Sequence, residues 1–128
     1  MKYLALITLL LLLLAPMAST QVRTLRVPFT YEHGLILLNL KVNEKPAVLL
    51  LDTGATVTLS ANSGLVEIRI SDHSVIAVQA NELGRLNNMN RKNLALFGIS
   101  GVLGQDFLRA FKSVRIDYTN HILELEPR

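Results

Sequence analysis

The tripeptide Asp52-Thr53-Gly54 closes the apolar run Ala47-Val48-Leu49-Leu50-Leu51, and Ala55 follows it. A continuous apolar run bounded by turn residues reads as a strand buried on both faces. The chain must therefore fold so that a carboxylate emerges at the end of a core strand. Ionising an acid in such a place is costly, and acids kept there point to function. Gly54 lets the backbone turn sharply and leaves room for another group to approach. Asp52 reads as one half of an acid pair that activates water.

With 128 residues, half of them apolar, the chain has material for one core and not for two. The first residues stand apart. Lys2 gives a positive start, Leu4 to Ala15 is apolar except for Thr8, and the small residues Ala18 and Ser19 follow. That is the layout of a secretory signal peptide over residues 1–19, cleaved near Ala18. Its apolar stretch is shorter than the ~20 residues of a membrane span. The competing reading is an uncleaved anchor, because Pro16-Met17 makes a poor cleavage site and Tyr3 lengthens the apolar stretch. Under either reading residues 20–128 form a domain outside the cytoplasm, periplasmic or secreted, tethered to a membrane only if the leader stays on.

Removal of Met1 to Ala18 takes away Lys2 and leaves twelve Lys/Arg against ten Asp/Glu, a net charge of +2. The basic residues form no run or stripe with interleaved aromatics, so nucleic acid is not an expected partner. The absence of cysteine excludes disulfides, thiol catalysis and cysteine-ligated zinc.

The rest reads as short strands. Val22 to Phe29 opens the series, with Pro28 marking an edge or an end, and Leu35 to Val42 joins the strand before Asp52 through the turn Asn43-Glu44-Lys45-Pro46. Val57 to Ser60 follows. Val66, Ile68 and Ile70 alternate with Glu67 and Arg69, the pattern of a half-buried strand, and Val75 to Ala80 returns as the second arm of a hairpin. Asn81 to Asn93, rich in Asn, reads as an exposed loop or an irregular crossing, after which Leu94 to Phe97 rejoins the core. Gln105 to Phe111 predicts a short helix with Phe107, Leu108 and Phe111 on one face and Asp106 at its positive end. Val114 to Asp117 and His121 to Leu125 close the chain as a hairpin.

Leu50-Leu51-Asp52-Thr53-Gly54-Ala55, followed by Gly101-Val102-Leu103-Gly104-Gln105-Asp106-Phe107-Leu108, resembles the retropepsin-like aspartic proteases, in their bacterial and Ddi-type branches as much as the viral ones. Val114 to Tyr118 and Ile122 to Leu125 resemble the end of that domain, so the likeness spans roughly Thr24 to Glu126. Each motif alone is common; their order after hydrophobic strands is what carries specificity. The resemblance implies an all-β, closed barrel or sandwich with one short C-terminal helix. It also implies an endopeptidase acting on polypeptide, without metal or organic cofactor. The chain carries one Asp-Thr-Gly, so the family pattern implies a homodimer in which two copies of Asp52 meet across a twofold axis.

Within that resemblance Asp52 is the acid/base residue, Thr53 joins the hydrogen-bond grip between the two loops, and Gly54 turns a backbone N–H toward the carboxylate. Val102, Leu103 and Gly104 form the crossing beneath. A substrate-covering flap falls at Arg69 to Val78, with its tip at Asp72, His73 and Ser74. Two departures stand out. The tip has no glycine, and the stretch Ala61-Asn62-Ser63-Gly64 is short where many bacterial relatives carry a helix. A domain with this fold that only binds peptide or assists assembly is the alternative.

Other polar residues have plainer readings. Asp106 suits a helix start and Asp117 a hairpin turn. His33, His73 and His121 are too scattered for a helical metal site. Ser60 and Ser100 lack the setting of a serine nucleophile.

Overall fold

The computed structural model describes residues 23–61 and 63–128. The proposed leader at 1–19 lies outside the described residues, and so does Val22 of the first expected strand.

The β-rich expectation holds. The strands are β1 (Leu25–Pro28), β2 (Thr30–Glu32), β3 (Leu35–Val42), β4 (Lys45–Leu51), β5 (Leu59–Ser60), β6 (Gly64–Ser71), β7 (Ser74–Glu82), β8 (Gly101–Leu103), β9 (Phe111–Asp117) and β10 (Ile122–Pro127). Their order in the larger sheet is β2-β3-β4-β8-β5-β7-β6, and β3 also pairs with β6, so six strands close into a barrel with β2 outside the ring. A second sheet, β1-β10-β9, leaves β1 and its Pro28 at an edge. Val27, Leu123 and Leu125 from this sheet join the same apolar core as Leu38, Leu49, Leu51, Ile68 and Leu103 of the barrel.

Closure depends on the turn between β3 and β4. Asn43 and Glu44 both have positive φ, 49° and 65°, the hand that matches a twisted two-residue hairpin. Glu44 has no glycine-like freedom, and its conformation is held from outside. Its carboxylate takes Arg69 Nε at 2.9 Å and Nη2 at 2.8 Å. Asn43 exchanges bonds with Glu67, donating its N–H to the carbonyl at 2.8 Å and accepting the Glu67 N–H at 2.9 Å. The turn is thereby stitched to β6, beside the Lys41–Arg69 and Val42–Ile68 pairs that complete the ring.

Three expectations need correction. The stretch expected as a loop carries a helical turn at Leu83–Arg85 and a helix, α1 (Asn88–Leu96). Asn87 caps it, accepting the Asn90 N–H at 2.8 Å. Leu94 to Phe97 does not rejoin the core: Leu94 is half-buried and Leu96 is 81% exposed. The core resumes at Ile99. The helix expected after Gly104 is present as α2 (Gln105–Leu108), ending before Phe111, which instead starts β9.

Candidate active site

Asp52 is presented by two strands. β4 runs parallel to β8, with Leu49, Leu50 and Leu51 opposite Gly101, Val102 and Leu103. The ladder extends one step further, since the Asp52 N–H donates to the Leu103 carbonyl at 3.0 Å. Beyond it the chain turns back: the Ala55 N–H reaches the Asp52 carbonyl at 3.2 Å, and the Gly54 N–H donates to Asp52 Oδ1 at 2.9 Å. Gln105, at the start of α2, fastens the far side of the loop. Its N–H donates to Ala55 O at 2.8 Å, and its side-chain amide donates to Thr53 O.

This loop lies directly on the β8–α2 junction, and only glycine permits that approach. A Cβ on Gly104 would stand 2.6 Å from the Val57 carbonyl oxygen and 2.7 Å from its carbon. Beneath sits Thr58, 2% exposed. Its hydroxyl donates to Asp106 Oδ1 at 2.6 Å and accepts the Gly104 N–H at 3.2 Å, while its own N–H donates to Asp106 Oδ2 at 2.8 Å. Asp106 also accepts the Phe107 N–H at 2.8 Å, so its role is structural, as expected of a helix start. Asp117 likewise serves its turn, accepting the N–H groups of Thr119 and Asn120 and the Asn120 side-chain amide.

The acid itself is not buried. Asp52, Thr53 and Gly54 are all exposed in the single chain, although Leu51 before them is buried. The costly desolvation expected from the apolar run is therefore absent within one copy. Strand burial stops at Leu51, and the turn lifts the carboxylate to the surface.

Two cavities meet at Asp52. One, of about 360 Å³, has Leu35, Leu50, Ala55, Leu59 and Val102 of the barrel on one side. Its other wall is Leu86, Asn90, Asn93, Leu94 and Phe97, from α1 and its flanks. The second, of about 330 Å³, is lined by Thr53, Leu50, Ile36, Ile116 and Tyr118. The Tyr118 ring stands edge-on to Tyr31, 5.5 Å between centroids at 76°, and both rings are about half exposed.

Asp72, His73 and Ser74, expected over the acid, line neither cavity. They border a separate hollow with Arg23 to Val27 and Pro127. Its walls are β1 and the chain end, so the hairpin tip leans on the smaller sheet. His33 packs against Phe97 at 5.3 Å and His121 stacks on Phe29 at 5.4 Å, both as loop histidines.

A crystal structure of a retropepsin-like aspartic protease from Rickettsia conorii superposes with a TM-score of 0.55 at 18% identity, covering 85% of this chain and 94% of that one. The fold is retropepsin-like. At that identity the likeness is one of fold. No family model matches the chain, and no curated protein matches it by sequence.

The cavity wall made by α1 escaped the reading of the sequence. Its signals were present: the Asn87 cap three residues before Asn90, the spacing of Leu86, Leu94 and Phe97 on one helical face, and Gly98 just past the end, with φ of 65°.

Proposed function

We propose that this chain is an aspartic endopeptidase, assembled when two copies bring their Asp52 side chains together. The observation that carries the reading is the loop itself. One carboxylate oxygen is fixed by the Gly54 N–H at 2.9 Å, on an exposed turn built over β8 and α2, with cavities on either side. A turn that merely needed a cap would not require the Gln105 clamp and the Gly104 approach beneath it.

A single carboxylate cannot both accept a proton from water and donate one to a carbonyl oxygen. Asp106 and Asp117 are taken up by local hydrogen bonds, and among the described residues the lining of the two cavities holds no acid besides Asp52, so a second Asp52 is the natural complement. Two carboxyls a few Å apart share one proton, because both cannot ionise together. The ionised member takes a proton from water as its oxygen attacks the peptide carbon. The protonated member gives its proton to the carbonyl oxygen, forming a neutral gem-diol. Collapse breaks the C–N bond as the newly protonated carboxyl gives its proton to the leaving nitrogen and the other carboxylate takes one from a gem-diol hydroxyl, which returns the pair to its starting state. A second copy would also cover the exposed Asp52, supplying the low-polarity surroundings that one copy lacks.

Half-exposed Tyr118, which lines the same cavity as Thr53 and stands against half-exposed Tyr31, supports that assembly, since exposed aromatics next to a site suit an interface. With the twofold axis between the two Asp52 loops, the adjoining Thr53 residues would also lie close to the interface. Export through residues 1–19, and kinship with the bacterial or Ddi-type branch, belong to the same proposal; sequencing the mature N-terminus checks the first.

Purified mature protein assayed on a peptide library from pH 3 to 7 tests the chemistry, with Asp52→Asn as control. Equal cleavage by both proteins removes the aspartic mechanism. Sedimentation that finds only monomer at concentrations of full activity removes the dimer. The second reading, a peptide-binding or assembly module, gains support from the location of the β6–β7 tip away from Asp52. It predicts binding without turnover.

A further inference from the structure

The helix α1 is built like a packing element but is not packed like one. Leu86, Asn90, Asn93, Leu94 and Phe97 follow helical spacing and face the cavity that holds Asp52. Yet none of the helix's described residues is buried, and only Leu94 is half-buried. A helix meant only to seal the barrel would carry apolar residues along this stripe. Here two of the five are asparagines, each with amide donors and an acceptor.

The helix is nevertheless capped at its start, and the chain just past its end is anchored to the barrel. Asn87 caps its start, accepting the Asn90 N–H at 2.8 Å and, through its carbonyl, the Arg91 N–H at 3.1 Å. At its end Phe97 packs on His33, and the Ser100 N–H ties the following strand to Val48 O at 2.9 Å. Opposite stand Leu35, Leu50, Leu59 and Val102. The space between, about 360 Å³, lies at the small end of the ~300–1,000 Å³ typical of ligand pockets. It is apolar at its walls, amide-bearing on one side, and open at Asp52.

We propose that α1 is the substrate-gripping wall of the cleft: Leu86, Leu94 and Phe97 seat an apolar side chain next to the bond presented to Asp52, and the Asn90 and Asn93 amides bond the main chain of that extended polypeptide. This rests on the aspartic-endopeptidase reading and assigns its covering element to a helix in place of the β6–β7 hairpin. An extended peptide offers N–H and C=O groups in alternation, which is what two amides on one stripe can satisfy. An apolar side chain would complete the contacts that α1 lacks.

The test uses the mature full chain and a peptide series varying only the residue beside the scissile bond. Wild-type kcat/KM should favour Leu or Phe over Ala or Asp by about 10-fold or more. Leu94→Trp, which narrows the cavity, should reverse the preference between Phe and Ala. Asn93→Leu should raise KM with little change in kcat. Phe97→Ala is the second variant if Leu94→Trp melts early, and it should relax the preference. Calorimetric binding of peptides carrying a reduced, uncleavable bond is measured in parallel. Cleavage that needs Asp52 but shows the same preferences in folded variants overturns the role of α1 alone. Binding that responds to Leu94→Trp without any turnover supports the subsite and overturns the endopeptidase. Reduced peptides that bind wild type and variants alike, or not at all, overturn the subsite.

Discussion

The Thr58 hydroxyl donates to Asp106 Oδ1 at 2.6 Å, joining residues 48 positions apart beneath the Asp52 loop. The same hydroxyl accepts the Gly104 N–H at 3.2 Å, so one buried oxygen links the strand after the loop to the strand–helix junction below. Thr58→Val keeps the shape but removes both bonds. It leaves the Gly104 N–H and one Asp106 oxygen without that partner, and should cost about 2–4 kcal/mol. Thr58→Ser, which keeps the oxygen, should cost less than half as much. Urea unfolding of the three proteins measures both.

Gly104 and Gly54 should separate stability from chemistry. The new methyl of Gly104→Ala would meet backbone atoms at 2.6 and 2.7 Å. Neither can move without shifting the loop, so about 3 kcal/mol of stability should be lost. In Gly54→Ala the nearest contact is Asp52 Oδ1 at 3.3 Å, a tight fit against the acid itself. Its melting temperature should change less, while hydrolysis suffers more. Thermal melts beside cleavage rates would show the opposite ranking if the loop had no catalytic role.

Acid should weaken the fold. The Arg69 guanidinium bonded to Glu44 holds that carboxyl below its ordinary range. The Asn120 side chain, with the backbone N–H groups of Asn120 and Thr119 and the Arg115 charge, does so for Asp117, and the Ser113 hydroxyl with Lys112 does so for Glu126. A depressed folded value means that the unfolded chain binds protons first. Stability from these groups is therefore complete above the unfolded carboxylate range, about pH 4–4.5, and is lost as pH falls through the lower folded values. Melting temperature should decline from pH 5 to 3, and Glu44→Gln should flatten part of that decline. Each pair has a partner open to solvent, Glu44, Arg115 or Lys112, so the effect should shrink in high salt.

The β6–β7 tip should be dispensable for turnover. Asp72, His73 and Ser74 border β1 and Pro127, not Asp52. His73→Ala should leave kcat/KM unchanged and stability within about 0.5 kcal/mol. A drop in kcat with stability intact would restore the tip to the site.

The parts legible in the sequence are those set by local pattern. β3 spans the predicted Leu35 to Val42, and alternation at Val66, Ile68 and Ile70 marked β6 correctly. β2 was missed because its three residues are all exposed and carry no apolar signal. α1 was missed because Asn90 and Asn93 interrupt its apolar stripe and Asn is a weak helix former. The Thr58–Asp106 link is non-local, so no window along the chain contains it. The exposure of Asp52 is not legible for a related reason: an apolar run reports burial of its own strand and is silent about the turn that follows.

In the proposed enzyme each active site takes one Asp52 from each of two copies. That pairing is tested most directly by adding Asp52→Asn protein to a fixed amount of wild type and following peptide hydrolysis after subunit exchange. The account predicts that the rate falls steadily toward zero as wild-type copies are drawn into mixed pairs, and that Asp52→Asn alone is slower by about 10²–10⁴-fold or more. A rate that stays constant through the titration would contradict it.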